Sequence, residues 1–236
     1  MEQELLIKLK ELKTLGAKAI KAELSSELLS PQELSFLKKL AGNAGLKLTL
    51  KVSGAEDEGG IIIAKELGAD NVVVPLIESG YSLHKFLILA EKIGLKADIF
   101  ANVETINGTK NIDEILSQQG FKGVVFGRSD MCGSLGLTCK DADSDRIFEY
   151  AKAISEKMKG RIFCIGGRVS ESSMSFLRKI PYLSGFETRK IVFDAEALNS
   201  FGAIKKALEF ELLWLETKQQ NQFDLERIEI IKRRLN

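Results

Sequence analysis

An α/β barrel is the fold this sequence predicts, and three features predict it. Strand and helix patterns alternate from residue 3 to residue 193. The run NVVVPLI at 71–77 is almost wholly apolar, as suits a parallel strand covered on both faces. Charged and amide side chains gather at the ends of the strand patterns, where parallel barrels carry their function.

The elements follow in order. Leu5, Leu9 and Leu12 recur at helical spacing, so residues 3–15 read as an amphipathic helix. Residues 17–24 (AKAIKAEL) read as a short strand. Ser30 before Pro31 is an N-cap with proline at the first helical position, and a helix to about Ala44 follows. LKLTLKV at 46–52 alternates with period two, and a helix over 57–67 ends at Gly68. Strand 71–77 is followed by a helix over 81–93 stopping at Gly94, strand 97–104, a helix over 109–119 and strand 122–128. A helix over 143–158, strand 161–165, a helix over 171–179 and strand 185–193 complete the alternation.

Seven strand patterns joined by helices imply a parallel sheet with right-handed crossovers. A complete TIM-type (β/α) barrel has eight, so one strand is expected to be missing or modified; an open doubly wound sheet is the alternative. The barrel is expected over residues 1–202. Residues 203–236 change character: Ile204, Ala207, Leu208, Leu212 and Leu215 trace one helix face, while Phe210, Leu213 and Trp214 put apolar groups on others. A second helix is expected over 223–235. A helix apolar on more than one stripe needs more than one packing partner, so this tail is expected to cover the barrel or clasp a second subunit of a homo-oligomer.

The balance of 34 basic and 33 acidic side chains gives no electrostatic reason to expect nucleic acid or an anionic membrane as partner. No apolar run approaches the roughly 18 residues of a membrane span. Met1-Glu2-Gln3-Glu4 lacks the basic start of a secretory signal. The odd number of cysteines, Cys132, Cys139 and Cys164, reads as free thiols in a reducing compartment, so a cytoplasmic protein is expected. With His84 as the one histidine, a histidine-rich zinc site is excluded. His84 lies in a helical pattern, where a surface role is the simpler reading.

The strand ends supply a short set of chemistry-bearing residues. Lys21 and Glu23 end the first strand, Lys51 the second, and Glu78 follows the third. Asn102 and Glu104 end the fourth; Arg128 and Asp130 follow the fifth; Gly166, Gly167 and Arg168 follow the sixth; Glu187 and Arg189 lie in the seventh. Alternation of faces points Asn102 and Glu104 one way, and likewise Lys21 and Glu23. Glu104 and Asp130, from neighbouring strands, are candidate ligands for a hard cation, Mg2+ or Mn2+, which would relieve their repulsion. Helix capping or ion pairing accounts for their positions equally well. Gly166-Gly167 is compatible with phosphate binding, but a tight turn explains it more simply.

Val103-Glu104-Thr105, the helix from Asn111-Ile112-Asp113-Glu114-Ile115-Leu116, and the loop G-R-S-D-M-C-G-S-L-G from Gly127 to Gly136 together resemble the HpcH/HpaI aldolase and citrate lyase β-subunit family. Val74-Pro75-Leu76-Ile77-Glu78 is similar to that family's V-P-M-V/I-E strand. The resemblance spans roughly residues 46–137 and implies a pyruvate-superfamily barrel. It implies that Glu104 and Asp130 are metal ligands, that the backbone of the loop at Gly127, Arg128 and Ser129 holds the carboxylate of a 2-oxo acid, and that the metal stabilises an enolate during carbon–carbon cleavage.

The sequence departs from the family where proton transfer is expected. The family's E-H pair after the first strand is here Glu23-Leu24, so its histidine is missing. The family's arginine at the next strand end is Lys51, which loses the bidentate fork. Glu66 aligns with the acidic partner of the absent histidine. Lys21 can supply a base if its pKa is lowered, and Glu23 is the other candidate. The expected function is that of a class II aldolase-like or citrate lyase-like enzyme acting on a 2-oxo or 3-hydroxy acid, with Lys21, Glu23 and Lys51 as catalytic candidates. A non-catalytic metal- and oxo-acid-binding barrel, or an enzyme binding a phosphorylated sugar through Gly166, Gly167 and Arg168, are the alternatives.

Overall fold

The computed structural model describes residues 2–235. Helix α1 (Glu2–Thr14) leads into β1 (Ala17–Glu23), the single turn α2 (Leu24–Glu27), α3 (Pro31–Ala44) and β2 (Lys47–Lys51). Then come α4 (Glu58–Glu66), β3 (Asn71–Val74), α5 (Gly80–Ile93), β4 (Asp98–Val103), α6 (Ile106–Lys110), α7 (Ile112–Ser117) and β5 (Gly123–Gly127). The chain continues through α8 (Arg128–Ser134), α9 (Asp145–Lys157), β6 (Ile162–Gly166), α10 (Met174–Lys179), β7 (Gly185–Glu187) and β8 (Ile191–Asp194), and ends in α11 (Ala203–Thr217) and α12 (Gln222–Leu235).

The eight strands close in chain order into a TIM-type barrel. Neighbours from β1 to β7 pair parallel, but β8 is antiparallel to both β7 and β1. The modified strand is therefore the last, and the stretch 185–193 read as one strand is two. The backbone N–H of Thr188 donates to the Ile191 carbonyl at 2.9 Å, and the Ile191 N–H donates to the Thr188 hydroxyl at 3.1 Å. These bonds satisfy the turn, and Phe186 stacks on Phe193 across the hairpin with ring centres 5.0 Å apart. Period-two patterning cannot distinguish one strand from two halves of a tight hairpin, because both place alternate side chains on one face.

The hairpin turn falls at the barrel's C-terminal mouth and the end of β8 at its base, where Asp194 N–H bonds the Gly16 carbonyl. From there α11 climbs along α1 and α3, with Trp214 stacked on Phe36 and the Lys190 ammonium 6.0 Å from the Trp214 ring. Helix α12 then crosses the mouth, where Arg234 donates to the Val169 carbonyl. Phe210 and Trp214, whose second stripe suggested a partner subunit, are buried within the chain itself.

The main core lies between strands and helices, while Val73, Val125 and Cys164 pack against Phe100 in a separate small cluster. The Cys164 thiol is pushed up to about 12, by burial first and then by the Glu187 carboxylate. Such a thiol is inert. The expected N-cap forms, with the Ser30 hydroxyl accepting from Glu33 N–H, and Gly45 ends α3 in the left-handed region. Helix α8, read from sequence as a loop, begins directly at the end of β5. Buried Met131 and Cys132 anchor it, so tertiary packing rather than length sustains it.

Candidate active site

Glu104 leaves β4 at the mouth and is buried, with 2% of its surface exposed. Exposed Asp130 lines the same cavity beside it. The Leu76 N–H donates to Glu104 Oε1 at 3.1 Å, and Lys51 Nζ stands 3.6 Å from Oε2. Leu76 reaches this position at φ +52°, the left-handed region, which strains a non-glycine residue at the site. Burial, followed by Asp130, pushes the Glu104 carboxyl up to about 7 against the pull of Lys51. Gly127 makes room for the pair: a Cβ there would lie 2.8 Å from Glu104 Cβ and 3.3 Å from Asn102 Oδ1. Among the described residues that amide oxygen is buried without a hydrogen-bond partner.

Two carboxyl groups and an unpartnered amide oxygen thus meet with Lys51 as the nearby cation. This surplus of hard oxygen acceptors fits a divalent cation such as Mg2+ or Mn2+. Among the described residues no group of three Asp, Glu, His or Cys ligands is assembled. Water and substrate oxygens would therefore fill the remaining positions.

The lysine expected to act as a base is held otherwise. Lys21 is 5% exposed, forms a close ion pair with Glu187, and lies 3.1 Å from Glu23 Oε1. Burial opposes its charge, but Glu187 and Glu23 outweigh burial and hold the ammonium above its ordinary pKa. Glu23 sits well below the usual carboxylate range: burial opposes its charge, but Lys21, Lys51 and the Ser26 hydroxyl prevail. The expected lowering of the Lys21 pKa does not occur, and both groups stay charged through neutral pH. Glu66, aligned with the histidine's acidic partner, is exposed on α4 and does not line the cavity. His84 is exposed on α5.

Arg128 also differs from expectation. It is fully buried, paired with Asp143, donates to the Gly166 carbonyl at 3.3 Å, and lies 5.1 Å from the Phe176 ring centre. Asp143 in turn accepts from the Ser173 hydroxyl at 2.9 Å. Arg128 is thus part of the wall behind α8, while Gly127, Ser129 and Asp130 face the cavity.

Gly167 has a packing role. At φ +79°, its ideal Cβ would lie 2.7 Å from Ser129 N and 2.9 Å from Arg128 N. The glycine pair is the tight turn that lets α8 sit against β6. Gly167→Ala is expected to cost about 2 kcal/mol or more, from backbone strain and overpacking together. A urea midpoint equal to the wild type's would contradict this.

The cavity is about 590 Å³ and lies between the barrel mouth and the C-terminal helices. It joins Lys21, Glu23, Lys51, Asn102, Glu104 and Asp130 to the hairpin residues Glu187 to Arg189, and to Arg227 and Arg234 of α12. Glu187 and Arg189 were among the expected strand-end residues, but the contribution of α12 was not foreseen. Positions 227 and 234 fall on one face of α12 by their spacing, but only the reversal of β8 brings that face over the mouth.

The model of the HpcH/HpaI aldolase/citrate lyase family matches residues 34–165, more than half of the chain. Comparison with curated protein sequences finds no match. Among solved structures, an HpcH/HpaI aldolase from Desulfitobacterium hafniense DCB-2 is 16% identical, with 94% of this chain and 90% of that one covered, at a TM-score of 0.66. A family protein from Burkholderia cenocepacia J2315 is 15% identical over 86% and 89%, at 0.64. The citrate synthase SbnG is 18% identical over 78% and 81%, at 0.62. At these identities the structures speak for the fold alone. The matched family comprises divalent-metal-dependent enzymes with lyase-type chemistry on small oxo acids. With its family pattern at the strand ends of a closed barrel, the chain belongs to the HpcH/HpaI aldolase/citrate lyase family.

Proposed function

We propose that this chain is a metal-dependent carbon–carbon lyase acting on a 2-oxo or 3-hydroxy acid through an enolate. The observation that carries the reading is the convergence of Glu104, Asp130 and the unpartnered Asn102 oxygen at adjacent strand ends. Glu104 and Asp130 would hold Mg2+ or Mn2+, which when bound supplies Lewis-acid stabilisation of enolate charge. Lys51, set between Glu23 and Glu104, adds a fixed positive charge on the same side. Gly127 and Ser129 leave the start of α8 open to the acid's carboxylate. Lys21 and Glu23, locked with Glu187, position Lys51 and shape the floor rather than exchange protons.

Decarboxylation of a 3-oxo acid reaches an enolate by carbon–carbon cleavage alone, without a base. Oxaloacetate decarboxylation therefore tests the reading despite the missing histidine. With Mn2+ the wild type is expected to exceed the rate of the free ion, and Asp130→Asn is expected to fall to it. A wild-type rate equal to the free ion's, with oxo-acid binding retained, would favour the non-catalytic binder. The locking of Lys21 at the place of the expected base is the observation favouring that second reading.

The protein is expected to act in the cytoplasm as a homo-oligomer. Phe201, Phe223 and Leu225 are exposed along the C-terminal segment and supply apolar surface for such contacts. Light scattering at micromolar concentration should show more than one subunit, and a monomer would contradict this.

A further inference from the structure

The cavity has a second charged end. Its outer wall is formed by the segment after β6 and by α12, and carries Arg168, Arg227 and Arg234 with Ser170 and Ser172. Arg227 occupies Glu211 through a bidentate pair at 2.6 and 2.8 Å. Among the described residues Arg234 makes one hydrogen bond, to the Val169 carbonyl at 2.7 Å, and no ion pair. Arg168 is exposed and, among the described residues, makes neither. Burial, then the charges of Arg227 and Arg168, hold the Arg234 guanidinium below its ordinary pKa.

Arg168 and Arg234, without an ion-pair partner among the described residues, leave positive charge unanswered on a concave wall. Fastening α12 to α11 explains Arg227, which is paired with Glu211. It does not explain Arg168, which fastens nothing and stands at φ +55°, a strained position for a side chain of this size. Planar guanidinium donors suit carboxylate and phosphate oxygens. A cavity of about 590 Å³ also exceeds what a three-carbon oxo acid fills.

We propose that Arg168 and Arg234 form a second anion subsite, which takes the far carboxylate or phosphate of an elongated substrate whose oxo-acid end lies at Glu104 and Asp130. The subsite rests on the functional reading above for the placement of that oxo-acid end. The preferred substrates are then acids anionic at both ends, and α12 sets the chain length accepted.

Titration calorimetry on the full chain tests this in two independent arms. In the first, inorganic phosphate is titrated into metal-free protein. Arg168→Asn, which tolerates the left-handed backbone, and Arg234→Ala are each expected to weaken phosphate binding about tenfold. No phosphate binding to the wild type, or unchanged binding in both variants, would overturn the subsite. In the second arm, with Mn2+ present, 2-oxoglutarate is compared with 2-oxopentanoate, which has a methyl group in place of the far carboxylate. The wild type is expected to prefer the diacid about tenfold and both variants to lose that preference, while oxalate binds all three equally. A preference that survives both substitutions would overturn the proposal. Absence of Mn2+-dependent oxalate binding would instead reject the functional reading, with the phosphate arm still deciding the subsite.

Discussion

Lys21→Met is expected to cost the fold about 3–5 kcal/mol, because it leaves buried carboxylates without their cation. The loss falls chiefly on Glu187, which is 4% exposed and has no other ion-pair partner among the described residues. Glu23 keeps the Ser26 hydroxyl and the nearby charges of Lys51 and Arg189. The pH dependence follows from the signs. The Lys21 pKa is raised in the folded chain, so its contribution is complete below the ordinary lysine value of 10.5 and is lost only at higher pH. The Glu23 pKa is lowered, so its contribution is present above 4.5 and is lost as pH falls. The cost should therefore be full at neutral pH and shrink in acid. Urea unfolding at both pH values measures it, and adding Glu187→Gln to Lys21→Met should recover much of the loss. Unchanged stability of Lys21→Met, together with a fall in turnover, would return Lys21 to the chemistry and remove it from the framework.

What was legible in the sequence was what local pattern decides. The Ser30-Pro31 start and the stop at Gly94 became the expected cap and stop, and the apolar run at 71–77 holds the strand Asn71–Val74, because hydrogen bonding and backbone conformation settle them within a few residues. The alternation of strands and helices and the resemblance at Glu104 and Asp130 led to the barrel and the facing carboxyl groups. What stayed hidden depends on partners distant in the chain. Lys21 is held by Glu187, 166 positions away, and this contact reverses the sign of the pKa shift expected for a buried lysine. Arg128 is turned away from the cavity by Asp143 and Phe176. The reversal of β8 lies in the three polar residues Thr188, Arg189 and Lys190. In a strand pattern they look like one exposed stretch, but here they form a turn whose charges are met by Glu27. That reversal sends α11 up the outside of the barrel and α12 over the mouth, so the outer wall of the cavity could not be foreseen without it.

The central claim is that Glu104 and Asp130 bind a divalent cation. The Glu104 carboxyl, raised from 4.5 to about 7, holds an extra proton in the folded chain between those values. Metal-free stability should therefore fall as pH rises through that window, and Glu104→Gln should flatten the fall. A cation must displace this proton, so binding should strengthen as pH rises through about 7. The most direct measurement is the melting temperature with and without Mn2+ at slightly alkaline pH. At a concentration about a hundredfold above Kd, binding stabilises the fold by about 2.7 kcal/mol, a rise of roughly 5–10 °C for a chain of this size. The wild type should show that rise, and neither Glu104→Gln nor Asp130→Asn should show it although both remain folded. An equal rise in all three proteins, or no rise in the wild type, would contradict the claim.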